Sequence, residues 1–215
     1  MNLVLKVLEK LSNILFPASP VLKALLARVS KEGISFLPRQ TQNNSEVTSP
    51  FSYANPDVRL LIHEMKYRRN KTIAQHFAET LHDEIISELQ EHYMDIHTKP
   101  IVTFIPSTST TKFRRGYQHI DTLRLTIEKT TGCNLFQHIF PLLEYKNKRN
   151  RQTEMKNRSK RLENMNNAFA TNRNLDGEII FLIDDVTTTG ATLQDGKRAL
   201  IEAGARKVHL FALAH

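Results

Sequence analysis

Phe181-Leu182-Ile183-Asp184-Asp185-Val186-Thr187-Thr188-Thr189-Gly190-Ala191-Thr192 decides how this chain is read. The apolar run at residues 179–183 has the length of a buried strand, and it ends on two adjacent carboxylates and a small, hydroxyl-rich turn. A helix is expected next, over about residues 191–203. Leu193, Ala199, Leu200 and Ala203 give it a partial apolar face, and Gly204 is its C-terminal stop. The motif therefore lies where a strand turns into a helix. Two adjacent acids after a buried strand are costly unless a ligand or cation answers them.

Each part of the motif has a chemical use. Backbone N–H groups in the first turn of a helix lack intrahelical partners and sit at the positive end of the macrodipole. A turn made of Thr187, Thr188, Thr189, Gly190, Ala191 and Thr192 is thus suited to wrap a phosphate, with Gly190 allowing close approach. The hydroxyls of Thr188, Thr189 and Thr192 add donors to the same oxygens. Asp184 and Asp185 accept hydrogen bonds from vicinal hydroxyls or hold a hard cation. Acids beside phosphate-binding amides point to a sugar phosphate.

The remainder of the chain is read outward from that site. Residues 3–16 carry Val4, Val7, Leu8, Leu11, Ile14 and Leu15 at helical spacing up to Pro17, with Lys6, Glu9 and Lys10 interrupting. This is not the pattern of a signal peptide. Ser19-Pro20 opens a second helix over about residues 20–30, with Val21, Leu22, Leu25, Leu26 and Val29 as its apolar positions. Residues 39–50 are mostly Gln, Thr, Asn and Ser and read as a linker or loop. The expected organisation is a helical extension with polar linker over residues 1–54 and one α/β domain over residues 55–215.

Within that domain Asn55-Pro56 starts a helix through Leu60, Leu61 and Met65. Ile73, Phe77, Leu81, Ile85 and Leu89 then repeat every fourth residue along a long packing helix. Residues 101–105 and 208–213 are short apolar strands, and residues 117–130 a helix with Tyr117, Ile120, Leu123 and Ile127 inward. Strands alternating with helices imply a parallel sheet with helices on its faces.

Composition narrows the class. Net charge is +8, and residues 144–173 alone carry nine Lys and Arg against three Glu. Such a basic, weakly periodic segment suits either a flap closing over an anionic substrate or a track for nucleic-acid backbone. Aromatics there are limited to Tyr145 and Phe169, which gives base stacking little support. The single cysteine, Cys133, excludes an internal disulfide and a multi-thiolate zinc site. No run reaches the ~18 apolar residues of a membrane span, so a cytoplasmic location is expected.

Ligands of open α/β sheets bind beyond the carboxyl ends of the strands, so the segment after residue 105 belongs to the same crevice as Asp184. It reads Pro106-Ser107-Thr108-Ser109, and soon after come Lys112, Arg114, Arg115 and Gly116. Guanidinium groups grip phosphate oxygens bidentately and neutralise charge on a departing diphosphate.

The motif at residues 181–192 resembles the phosphoribosyl pyrophosphate (PRPP) binding motif of the type I phosphoribosyltransferases. Lys66-Tyr67, Arg114-Arg115-Gly116-Tyr117, Gln152, Arg158, Arg161, Asn164, Ala168-Phe169 and Gly204-Ala205 follow in the order seen in the competence protein F (ComF) family, over about residues 55–215. Two departures stand out. Gln118-His119 occupies the place of the family's Asn and Gln, and the Cys-rich zinc-binding segment with which members commonly open has no counterpart here.

The resemblance implies a type I phosphoribosyltransferase-like fold and Mg²⁺-assisted transfer of phosphoribosyl from PRPP to a nitrogenous acceptor. Asp184 and Asp185 would hold the ribose hydroxyls, directly or through Mg²⁺, and residues 187–192 the 5′-phosphate. Ser107 and Thr108 would bind pyrophosphate through the backbone, and Arg114, Arg115 and Lys66 would attend the leaving group. Thr188 stands where purine-salvage relatives carry an acid, which argues against classical purine salvage. The rival expectation is a DNA-uptake factor that binds single-stranded DNA or a helicase partner, with PRPP as a regulator or a vestigial ligand. A PRPP-sensing regulator ranks last, since residues 1–50 show no helix-turn-helix. A homodimer is the expected assembly.

Overall fold

The computed structural model describes residues 19–40, 46–68, 70–93, 99–106, 125, 129, 141–146 and 167–215. In chain order these form α1 (Pro20–Glu32), β1 (Val47–Thr48), α2 (Pro56–Tyr67), α3 (Lys71–His92) and β2 (Ile101–Phe104). After them come β3 (Glu144–Tyr145), β4 (Phe169–Ala170), β5 (Ile179–Val186), α4 (Ala191–Glu202) and β6 (Lys207–Ala214). The helix expected at residues 3–16 lies outside the described residues. Of the helix expected at residues 117–130, Leu125 and Lys129 are described and both are helical.

The chain divides into a unit ending at Phe36 and a unit beginning at Leu37. The described part of the first is α1 and the turn after it. Ser19 Oγ accepts from the Leu22 N–H at 3.2 Å, Pro20 takes the first helical position, and the Gly33 N–H closes the helix on the Val29 carbonyl.

In the second unit the strands form one parallel sheet in the order β1-β6-β5-β2. β5 lies inside it, with Leu182 opposite Leu210 of β6 on one side and Thr103 of β2 on the other. A strand flanked on both edges and covered on both faces has no polar side to present, which is why residues 179–183 are apolar without alternation.

Alternation along β5 and β6 sorts their side chains onto the two faces. Ile180, Leu182, Leu210 and Ala212 join Leu193, Ala199 and Leu200 of α4 in one core cluster. Gly196 brings α4 close, since a Cβ at that position would lie 2.8 Å from Leu182 Cδ2. On the opposite face Phe181 meets Phe211 edge-on with centroids 5.5 Å apart, and both Phe181 and His209 meet Tyr93 at the end of α3. Burial, reinforced by Lys207, His92 and Lys197, lowers the His209 pKa to about 4. Its ring is therefore neutral. Nδ1–H donates to Glu88 Oε1 at 2.8 Å as a hydrogen bond rather than an ion pair, and Nε2 accepts from the Tyr93 hydroxyl at 2.5 Å. Helices thus cover both faces of the sheet, an α/β architecture consistent with the phosphoribosyltransferase-like arrangement expected from the sequence. Among the described residues no helix is long and apolar enough to cross a membrane.

Two elements depart from the sequence reading. The polar segment before residue 50 contributes the edge strand β1, where Val47 and Thr48 pair with Leu210 and Phe211. β5 continues past its apolar run to Val186, because Asp184 and Val186 pair with Ala212 and Ala214 of β6.

The hairpin β3–β4 is tied to α4 by one buried carboxylate. Asp195 Oδ1 accepts from the Asn167 N–H at 2.7 Å, and Oδ2 accepts from the N–H groups of Ala168 and Phe169 at 2.7 and 3.0 Å. Arg198 closes the arrangement, with Nε donating to Asp195 Oδ1 at 2.9 Å and Nη2 to the Phe169 carbonyl at 3.1 Å. Removing the carboxylate strands three amides and a guanidinium at once. Asp195→Ala is therefore expected to cost about 3 kcal/mol and to lower Tm by roughly 6–12 °C in calorimetry. Arg198→Ala should cost distinctly less, because the amides keep their acceptor.

Candidate functional site at the carboxyl end of β5

Leaving the core, β5 turns its last side chains outward in alternation, so Asp184 and Asp185 point to opposite faces of the sheet. Both are half-buried. Asp185 faces α2, where its Oδ1 lies 2.9 Å from Lys66 Nζ. Each carboxylate also folds back on the chain, Asp184 Oδ1 accepting from the Asp185 N–H at 2.8 Å and Asp185 Oδ1 from the Val186 N–H at 2.6 Å. Burial, and after it the negative charge of Asp185, push the Asp184 carboxyl up to about 7, against the opposing pull of the Asp185 N–H and of Lys66.

The turn that follows is shaped from within. The Thr187 N–H donates to the Ala214 carbonyl at 3.1 Å, which pins the start of the turn to the end of β6. Thr187 itself is buried, and its Oγ1 accepts from the Gly190 N–H at 2.9 Å. Gly190 sits at φ +74°, in the left-handed region that a side chain makes costly, and there it begins α4 without offering a capping side chain. Thr188 and Thr189 are exposed, while Ala191 and Thr192 are half-buried. The Ala191 N–H has only a 3.4 Å contact to Thr189 Oγ1. The result is an open bend at a helix start, immediately beyond two acids.

Lys66, Asp184, Asp185 and residues 187–192 are thus gathered at one end of the sheet. β2 ends there too, with Phe104 paired to Ile183 and the Ile105 N–H donating to the Ile183 carbonyl at 2.9 Å. Ser107, Thr108, Arg114 and Arg115, together with Gln152, Arg158, Arg161 and Asn164, lie outside the described residues.

Sequence reasoning passed over two further groups. Asp195 looked like one more helical acid. Glu46, just before β1, accepts from Gln194 Nε2 at 2.7 Å and lies 3.4 Å from Lys197 Nζ, so it braces α4 one turn past its start. Both act through non-local contacts that no local pattern announces.

Two neighbouring carboxylates are the oxygen donors that a hard divalent cation takes. Among the described residues no cluster of three or more His, Cys, Asp or Glu forms a metal cage. A carboxylate placed like either of these suits a hard cation such as Mg²⁺, which takes one or two protein oxygens and fills its other positions with water and other oxygens.

The raised Asp184 pKa has a definite consequence for stability. The folded chain binds that proton more tightly than the unfolded chain, so this group's contribution falls as pH rises from about 4 to about 7 and is flat above. Asp184→Asn removes the effect. Its Tm is expected to exceed that of the parent by roughly 10 °C at pH 8 and to match it near pH 4, as read by thermal denaturation across that range.

No family model matches the chain. It is similar to curated proteins described as DNA utilization protein YhgH. With that of Salmonella typhimurium it shares 25% identity over 159 residues, covering 74% of this chain and 67% of the relative. With those of Escherichia coli and Shigella flexneri it shares 25% identity over 161 residues, with the same shares of each chain covered. The chain is thus distantly similar to bacterial proteins described by a role in DNA utilisation.

Proposed function

We propose that the carboxyl end of β5 binds the phosphoribosyl group of PRPP and that the chain is a Mg²⁺-assisted phosphoribosyltransferase of the competence protein F type. One observation carries this reading. Asp184 and Asp185 stand at the end of a buried parallel strand, directly before an open bend that starts a helix without a capping side chain. The Gly190 amide is taken by Thr187, so the amides of Thr188, Thr189, Ala191 and Thr192 are the ones that suit the 5′-phosphate, and the carboxylates suit the vicinal ribose hydroxyls.

In the proposed reaction the lone pair of an acceptor nitrogen forms a bond to the anomeric carbon as the bond from that carbon to the pyrophosphate oxygen breaks. The electron pair leaves with pyrophosphate, and the proton carried by the nitrogen passes to water or to the leaving group. Positive charge on the ribose develops beside Asp184 and Asp185, where it is electrostatically favoured. Lys66, held against Asp185, keeps the pair from carrying its full negative charge before substrate arrives. When bound, Mg²⁺ would neutralise charge on the pyrophosphate oxygens. From the sequence resemblance, Ser107, Thr108, Arg114 and Arg115 would receive that group.

The similarity to proteins described by DNA utilisation favours a second reading at the level of cellular role. In it the chain serves DNA uptake, its basic segment binds single-stranded DNA or a helicase partner, and PRPP acts as a regulator. The readings share one test. PRPP with Mg²⁺ at about 100 times Kd is expected to raise Tm by roughly 5–10 °C, with pyrophosphate released when an acceptor is present. The Asp184→Asn/Asp185→Asn variant should lose both responses; equal responses from the variant would mean the site is misassigned. Anisotropy with a labelled oligonucleotide tests the second reading, which requires affinity to fall steeply with salt at about −0.7 log units per phosphate neutralised.

A further inference from the structure

α2 has two working faces. Val58, Leu61, Ile62 and Met65 make its buried stripe, and Asn55 fixes its start by accepting from the Asp57 and Val58 N–H groups at 2.9 and 3.1 Å. The other face borders a cleft of about 510 Å³ whose walls include Tyr53, Arg59, Leu60, His63, Lys66 and Tyr67. That volume is within the ~300–1,000 Å³ of small-molecule sites.

The chemistry of the walls is selective. The His63 and Tyr67 rings pack with centroids 4.6 Å apart at a 36° tilt, and Tyr67 remains 55% exposed, unusual for so large an aromatic. None of the described residues lining the cleft is acidic, while Arg59 and Lys66 are cationic. Arg59 makes no ion pair with any described residue. Lys66 reaches from the cleft to Asp185, 2.9 Å away, so the cleft adjoins the acidic pair.

We infer that this cleft is the acceptor site, and that it takes a planar nitrogen heteroaromatic ring bearing a carboxylate. The inference rests on the transferase reading above for the word acceptor, and on the cleft alone for the class of ligand. Tyr53, His63 and Tyr67 offer ring faces and edges for stacking, and the Arg59 guanidinium matches a carboxylate bidentately. A neutral ring would gain nothing from the Arg59 charge. Held there, a ring nitrogen gives its lone pair to the anomeric carbon, the electrons of the broken carbon–oxygen bond leave on pyrophosphate, and any proton on that nitrogen passes to solvent.

The test uses the full chain without PRPP, and saturation-transfer NMR titrations with three probes: nicotinate, nicotinamide and cyclohexanecarboxylate. Nicotinate is expected to bind at least about tenfold more tightly than either, the fold-change of one charge-assisted hydrogen bond or of a lost ring face. Arg59→Gln should remove the preference for nicotinate over nicotinamide, and Tyr67→Leu the preference over cyclohexanecarboxylate. Both positions are exposed, and an unchanged Tm confirms that each variant is folded. Equal binding of the three probes, or a preference that survives Arg59→Gln, overturns the inference. So does displacement of nicotinate by a short oligothymidylate that binds more tightly and depends on Arg59, which would make the cleft part of a nucleic-acid track. A parallel Tm titration with PRPP and Mg²⁺ separates the two failures. PRPP binding without nicotinate selectivity sinks the cleft alone, and nicotinate selectivity without PRPP binding sinks the transferase reading while leaving the ligand class intact.

Discussion

Two carboxylates side by side at the end of a strand buried on both faces are an electrostatic problem, and much of the structure around them answers it. Each acid is half-buried, so water solvates it incompletely, and the charge of Asp185 raises the proton affinity of Asp184. Lys66 comes from a different helix to stand 2.9 Å from Asp185, and the backbone N–H groups of Asp185 and Val186 bend in to meet the side chains. These contacts relieve the pair only in part, since the Asp184 carboxyl still lies near 7. A carboxyl held so far from its ordinary range is more often found at a functional site than elsewhere.

The same constraint explains the placement of the elements. β5 has to be apolar to Ile183 because α3 and α4 cover its two faces, and it has to run on to Val186 because β6 pairs with it that far. α2 is positioned with Lys66 on the side of the sheet that Asp185 faces. The bend after Val186 is shaped by an internal hydrogen bond from the Gly190 N–H to Thr187, and no side chain caps the helix start. Strand, bend and α2 converge on a few atoms.

Much of this was legible in the sequence wherever the signal was local. The run at residues 179–183, the Asn55-Pro56 start, the fourfold spacing from Ile73 and the Gly204 stop fixed β5, α2, α3 and α4 to within a few residues. What stayed hidden was non-local. β1 is two residues long in a polar stretch and exists only because β6 offers an edge. Asp195 carries no local sign of its three amide partners, which lie 26 to 28 residues earlier in the chain. The cleft on α2 was equally invisible, since Arg59, His63 and Tyr67 read as an ordinary polar helix face until Tyr53 joins them around one cavity.

The hairpin β3–β4 fastens both ends of residues 147–166, with the Lys146 N–H donating to the Ala168 carbonyl and Lys146 Nζ to Asn167 Oδ1. Through Asp195 that knot rests on α4, about one and a half helical turns from Gly190, roughly 8 Å along the axis. The segment between those ends carries seven Lys and Arg, and both of its ends are thus anchored to the helix that begins at the bend. Joining those ends carries the entropic cost of closing a loop, and Asp195 is the contact that holds the closed ends on α4.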